Sequence, residues 1–268
     1  MKEIEHFLKG KSREAGSCED ALFIGNDFVA AIDGVTTKGN TWWDGVTSGR
    51  YASLLLQSEL AAIPRDIQAY ELFERLSVKL DEEYKKRFSE RLPLEYARAA
   101  IIVYSDFYRQ IWSYGDCQCM VNGIAHTHNK RIDDMNAMLR AFVSQKRIRN
   151  GESVTLPSGE DAGREAILPF LKQQYLFENE NSYFGYPILN GEPVSKNLIV
   201  KYQLQEGDEF ILASDGYPKL FATLEQSENY LQRMLKEDPQ CIWENLSTKG
   251  CMQGNLSYDD RCFVRCVV

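Results

Sequence analysis

The order of elements in this sequence predicts an α+β fold in which two sheets are covered by helices. Three observations lead there. Strand-like runs come in neighbouring groups joined by short turn clusters, as antiparallel hairpins do. Helical stretches gather between those groups and do not alternate one to one with strands, which argues against a doubly wound parallel sheet. No glycine-rich phosphate loop of the Walker or dinucleotide type is present. The chain has 268 residues and no internal repeat. It reads as one domain over 1–268, long enough to bury a core without staples.

Each element has its own signal. Ala21–Ile24 and Phe28–Ile32 are short apolar runs separated by the turn cluster Gly25-Asn26-Asp27. Gly49–Ala62 carries Tyr51, Leu54, Leu55 and Leu60 at helical spacing, and Pro64 stops it. Ile67–Phe88 puts Leu72, Phe73, Leu76, Leu80 and Tyr84 on one stripe with charge elsewhere, an amphipathic helix laid on a core. Ala97–Tyr104, Phe107–Tyr114 and Cys117–Val121 read as a three-stranded meander with turns at Ser105-Asp106 and Gly115-Asp116. Ile132–Gln145 reads as a helix, Asn150–Gly159 as a polar loop, and Ala162–Phe177 as another helix. Strands are expected near Tyr183–Leu189, Leu198–Gln203 and Glu209–Ser214, a helix near Leu224–Lys236, and a last strand at Arg261–Val268.

Composition narrows the function classes. Hydrophobic residues make up 44% and charged residues 26%, as in an ordinary soluble globular protein. No run approaches the ~20 apolar residues needed to cross a bilayer, so no membrane role is expected. The net charge of −8 and the short, isolated basic stretches at Lys85–Arg87 and Lys146–Arg149 argue against a nucleic-acid partner. Seven cysteines and an N-terminus, MKEIEHFLKG, without an apolar h-region point to reduced thiols in a cytoplasmic protein. Cys117 and Cys119 would share one face of a strand, and their spacing does not match a zinc site. Small apolar filler is the reading they support.

Chemistry concentrates in carboxylates at strand ends. Asp33 closes FVAAID and Asp215 closes EFILASD, each followed by glycine. Asp259-Asp260 stands just before RCFVRCVV, and Glu19-Asp20 just before ALFI. Taken singly, Asp-Gly after a strand is most often a turn. Taken together, carboxylates at the rims of packed sheets can converge, repel one another and resist ionisation until a cation sits between them. Hard divalent cations prefer such oxygen ligands.

The stretches GSCEDALF, FVAAIDGVTTKG with GRYAS behind it, ARAAIIVYSDFYRQIWSYGDCQCMVNG, EGDEFILASDGYPKLF and SYDDRCFVRCVV, in that order, resemble the metal-dependent protein phosphatases of type 2C, and the stretch SYFGYPILNGEP with the strand after it resembles a pattern in some bacterial members. They span Gly16 to Val268, with no matching motif between about Ile124 and Tyr183. The resemblance implies a four-layer αββα sandwich, two central antiparallel sheets flanked by helices. It implies two Mn²⁺ or Mg²⁺ ions, bridged by Asp33, with the Gly34 carbonyl, Asp215 and Asp259 completing their ligands. Glu19 and Asp20 would hold metal-bound waters. The implied reaction is hydrolysis of phosphoserine and phosphothreonine in a protein by a metal-activated water, so Asp33, Asp215 and Asp259 would be the catalytic set, opposing a serine/threonine kinase.

Other positions depart from the family pattern. The phosphate-gripping Arg usually precedes the Glu-Asp pair by an offset that falls on Ala15 or Gly16; the nearest Arg is Arg13, with Arg50 as a fallback. Val35 stands where many eukaryotic members carry His. Asp116, in YGDCQ, reads as a turn residue, and His126 and His128 as parts of a polar loop. Trp42-Trp43 read as packing for at least one ring. A non-catalytic binding or regulatory protein, and a phosphatase of a small phosphorylated metabolite, are the alternatives.

Overall fold

The computed structural model describes residues 1–14 and 16–268. Two five-stranded antiparallel sheets stack face to face. One sheet runs β1 (Lys2–Lys9), β10 (Arg261–Val267), β9 (Glu209–Ala213), β6 (Gln118–Val121), β7 (Ile124–His126). The other runs β2 (Ala21–Ile24), β3 (Phe28–Val35), β4 (Arg98–Ser105), β5 (Gln110–Tyr114), β8 (Val200–Gln203). The α+β sandwich expected from the sequence is the one observed.

Alternation along the central strands explains the sandwich. In β4, Ala100, Ile102 and Tyr104 face the space between the sheets, while Ala99, Ile101 and Val103 face outward onto helices. Both faces of the strand are covered, so its sequence is a nearly continuous apolar run. The outer face of the second sheet is covered by α1 (Ser48–Leu60) and α2 (Ala69–Arg87). All five residues of the α2 stripe are buried, and a capping box between Gln68 and Glu71 fixes its start. The outer face of the first sheet packs Ile211, Ala213 and Phe263 against Leu231 and Met234 of α5 (Leu224–Glu237). Between the sheets, Cys117, Cys119, Cys262 and Cys266 pack with Val264 and Leu212 as free thiols, the filler role expected for Cys117 and Cys119.

A further pair, α3 (Arg131–Arg149) and α4 (Ala162–Gln173), packs together. Their interface is polar at its centre. Arg140 of α3 is fully buried, donates to Asp161 at the start of α4, and reaches the carbonyls of Gln240, Cys241 and Ser247. Gln145 donates to the Ile242 carbonyl. The pair is thereby tied to the segment that follows α5.

Three expectations are corrected. The meander breaks after β5: β6 belongs to the other sheet, and Gly115-Asp116 is a crossover between sheets, not a hairpin turn. Tyr183–Leu189 forms no strand and makes only single bridges, Leu189 to Ala99 and Tyr186 to Glu178. Pro187 has no N–H to give a ladder. The helix after Ala162 tightens to a 3₁₀ turn at Gln174–Phe177.

Candidate active site

The strands carry the acidic residues to one end of the sandwich. Asp33 lies near the end of β3 in one sheet; Asp215 follows β9 and Asp259 precedes β10 in the other. All three line one cleft of about 760 Å³, together with Glu19, Gly34 and Asp116. α3, α4 and the segment 245–250 form its walls.

Neither Asp-Gly step is a positive-φ turn. A Cβ on Gly34 would meet the Gly49 carbonyl at 2.1 Å and that of Glu19 at 2.5 Å. A Cβ on Gly216 would meet the Asp260 carbonyl at 1.9 Å. Each glycine therefore lets another acidic segment press against its backbone, and this is what draws the carboxylates together.

Electrostatics divides the carboxylates. Burial pushes Asp33 well above the usual carboxylate range, and the charges of Asp20, Asp116 and Asp259 push it further. Burial, then Asp33 and Asp259, does the same to Asp215. Burial also raises Asp20, whose Oδ2 is buried with no hydrogen-bond partner among the described residues. Asp259 differs. Burial alone would raise it, but Lys249 and Lys11 hold it below its ordinary value. Lys249 makes a short ion pair with Asp259 Oδ2, and Lys11 Nζ lies 3.7 Å from Oδ1.

The neighbours have other work. Asp260 is turned inward and accepts from Lys11 N at 2.7 Å, Lys11 Nζ at 2.9 Å and Glu19 N at 3.2 Å. It clamps the end of β1 to the start of β2, which leaves Asp259 as the cleft residue of the pair. Glu19 accepts from the Thr36 and Thr47 hydroxyls and, at 3.3 Å, from Lys11 Nζ. Asp20 lies outside the cleft lining. Asp116 is more than a turn residue. Its Oδ2 pairs with Lys130 at 2.7 Å, while Oδ1 is buried without a partner among the described residues.

The remaining candidates lie elsewhere. Arg13 is exposed and does not line the cleft. Residue 15, where the usual offset falls, lies outside the described residues. Arg50 donates to the Asp20 carbonyl at 3.1 Å. Trp43 is fully buried against Tyr51 and Phe88, and Trp42 is exposed. His128 is fixed between the Cys117 carbonyl and the Tyr202 hydroxyl, and burial lowers its basicity.

Two features bear on whether a cation fits. The donors are hard oxygens, two raised carboxyls among them, which suits a divalent ion. Yet among the described residues no three His, Cys, Asp or Glu side chains already form a tight cage. Lys11 and Lys249 stand among the acids and supply positive charge there. The donor set fits the ion by chemistry, with ammonium groups in competition for Asp259.

No protein-family model matches the chain, and neither does any curated protein. Solved structures do match over their length. The catalytic domain of the serine/threonine phosphatase PstP, in complex with two manganese ions, aligns at 15% identity and a TM-score of 0.51, covering 98% of this chain and 97% of that one. The serine/threonine phosphatase Stp1 from Staphylococcus aureus aligns at 15% identity and 0.53, covering 100% and 95%. A bacterial serine phosphatase aligns at 16% and 0.52, covering 100% and 98%. The chain has the fold of these phosphatases, the sandwich that the motif resemblance implied.

Proposed function

We propose that the cleft hydrolyses phosphate monoesters of serine or threonine in a protein substrate, with Mn²⁺ or Mg²⁺ as cofactor. The observation that carries this reading is the meeting of Asp33, Asp116, Asp215 and Asp259 in one cleft, with Asp33 and Asp215 raised by burial and mutual repulsion. The manganese complex of PstP, a protein of the same fold, supports it.

In this reading Asp33, the Gly34 carbonyl, Asp215 and Asp259 would hold two ions, with Glu19 and Asp20 ordering the surrounding water. Bound there, divalent ions would supply an acidified water and neutralise charge on the phosphoryl oxygens. The chain's own residues do the rest. Asp33 and Asp215, which burial holds toward the protonated form, would be ligands as carboxylates, and Asp259 would offer both oxygens only without its ion pair to Lys249. Glu19, braced by Thr36 and Thr47, keeps the β3 end and the α1 start in register around Gly34. Among the described residues no helix is long and apolar enough to cross a membrane. The partner proposed is a phosphoprotein made by a serine/threonine kinase in the cytoplasm.

The ion pairs on Asp259 favour a second reading, a binding or regulatory protein that keeps its acids neutralised by lysines. Turnover of p-nitrophenyl phosphate separates the two. The phosphatase reading expects turnover that needs Mn²⁺, stops with EDTA and returns with added metal. Absence of turnover in protein shown by calorimetry to hold Mn²⁺ leaves the binding role.

A further inference from the structure

Lys11, Lys38, Lys130, Arg164 and Lys249 all line the cleft. Lys11 is paired with Asp260, Lys130 with Asp116 and Lys249 with Asp259. Lys38 and Arg164 have no carboxylate partner among the described residues. Lys38, in the loop after β3, donates among the described residues only to the Thr36 carbonyl, at 3.0 Å. Arg164, in the first turn of α4, donates to the Thr248 carbonyl at 2.7 Å. Asp161, three residues before Arg164, is occupied by Arg140 and by capping the Arg164 amide.

We propose that Lys38 and Arg164 grip the phosphate of the substrate, the role the sequence assigns to Arg13. This rests on the phosphatase reading and names its binding residues. Two half-buried cations that line one cleft and make no ion pair among the described residues are costly in the free protein and complementary to a dianion. Burial and the nearby charges of Arg164 and Lys249 bring Lys38 down to about 8, and burial with Arg140 lowers Arg164. An arriving phosphate relieves both. Arg164 offers a planar fork and Lys38 a point charge, from α4 and from the loop after β3. Arg164 comes from the stretch where the family motifs are silent, so the anion grip has moved from the N-terminal loop to the α3–α4 wall.

The test is calorimetric titration of inorganic phosphate into the folded protein, with and without Mn²⁺. Lys38→Gln and Arg164→Gln are each expected to weaken phosphate by about ten- to a hundredfold. Arg164→Lys is expected to fall between wild type and Arg164→Gln. Arg13→Gln is expected to change nothing, and Mn²⁺ affinity is expected to stay near wild type in all four. Unchanged phosphate affinity in both glutamine variants overturns the proposal, as does its loss in Arg13→Gln. If Arg164→Gln fails to fold, Lys38→Gln and Arg164→Lys still decide it. Failure of the phosphatase reading shows separately, as absent turnover in a wild type that still binds phosphate through these two side chains.

Discussion

Asp33 and Asp215 hold protons more tightly in the folded chain than in the unfolded one, since burial and each other's charge resist their ionisation. An acid raised on folding stabilises the fold at low pH and loses that contribution as pH rises from its ordinary value through the raised one. At neutral pH these residues therefore weaken the metal-free protein. Asp33→Asn and Asp215→Asn are each expected to raise the metal-free melting temperature at pH 7 by a few degrees (on the order of 1 kcal/mol) while abolishing Mn²⁺-dependent turnover. Differential scanning calorimetry in EDTA checks the first effect. The gain should shrink as pH drops toward 4, where the carboxyls of the unfolded chain take up protons as well. Both aspartates were legible because each ends a strand signal in a matching motif. Asp116 was not, since Gly-Asp between two strand runs reads as a turn whichever sheet the next strand joins. Lys249 and Lys38 sit in polar loops with no local pattern, and only the folded chain shows which of them is paired.

Elements were readable where one face is apolar and the other is not. α2 is the clearest case, and its stripe predicts the cost of truncation. Leu76→Ala, at a fully buried position, is expected to destabilise by about 2–5 kcal/mol in urea unfolding. β1 gave no such signal. Ile4 and Leu8 are exposed, and Lys2, Glu3, Glu5 and Lys9 surround them. A charged edge strand resists pairing with other chains, and the same charges hide it from an alternation test. Tyr183–Leu189 failed the other way, aromatic enough to read as a strand but interrupted by Gly185 and Pro187. At the α3–α4 junction, Arg140→Ala leaves Asp161 buried and the 240–247 carbonyls without their donor. A loss of about 3–5 kcal/mol is expected, with faster proteolysis of the 238–250 segment than in wild type.

The whole molecule shows why the fold was more legible than the site. Sheet order follows from hydrophobic alternation repeated over many residues, so single misreadings average out. The site depends on a few side chains whose neighbours come from both sheets and from a helix pair outside any matching motif. Ligand binding should register on the whole fold. Mn²⁺ at about a hundredfold over its dissociation constant is expected to add about 2.7 kcal/mol of stability, read as a rise in melting temperature that EDTA reverses. A chain whose melting point ignores Mn²⁺ would count against the metal reading.

Asp33 belongs to one sheet, and Asp215 and Asp259 flank strands of the other, so the proposed reactive centre straddles the plane along which the two halves could slide. A slip of an ångström or two there would barely disturb either half's own ladder of bonds, yet it would pull the acids apart. Catalysis should then fade on warming before circular dichroism records any loss of strand content. The gap between those two temperatures measures how firmly the cysteine-lined interior glues one half to the other.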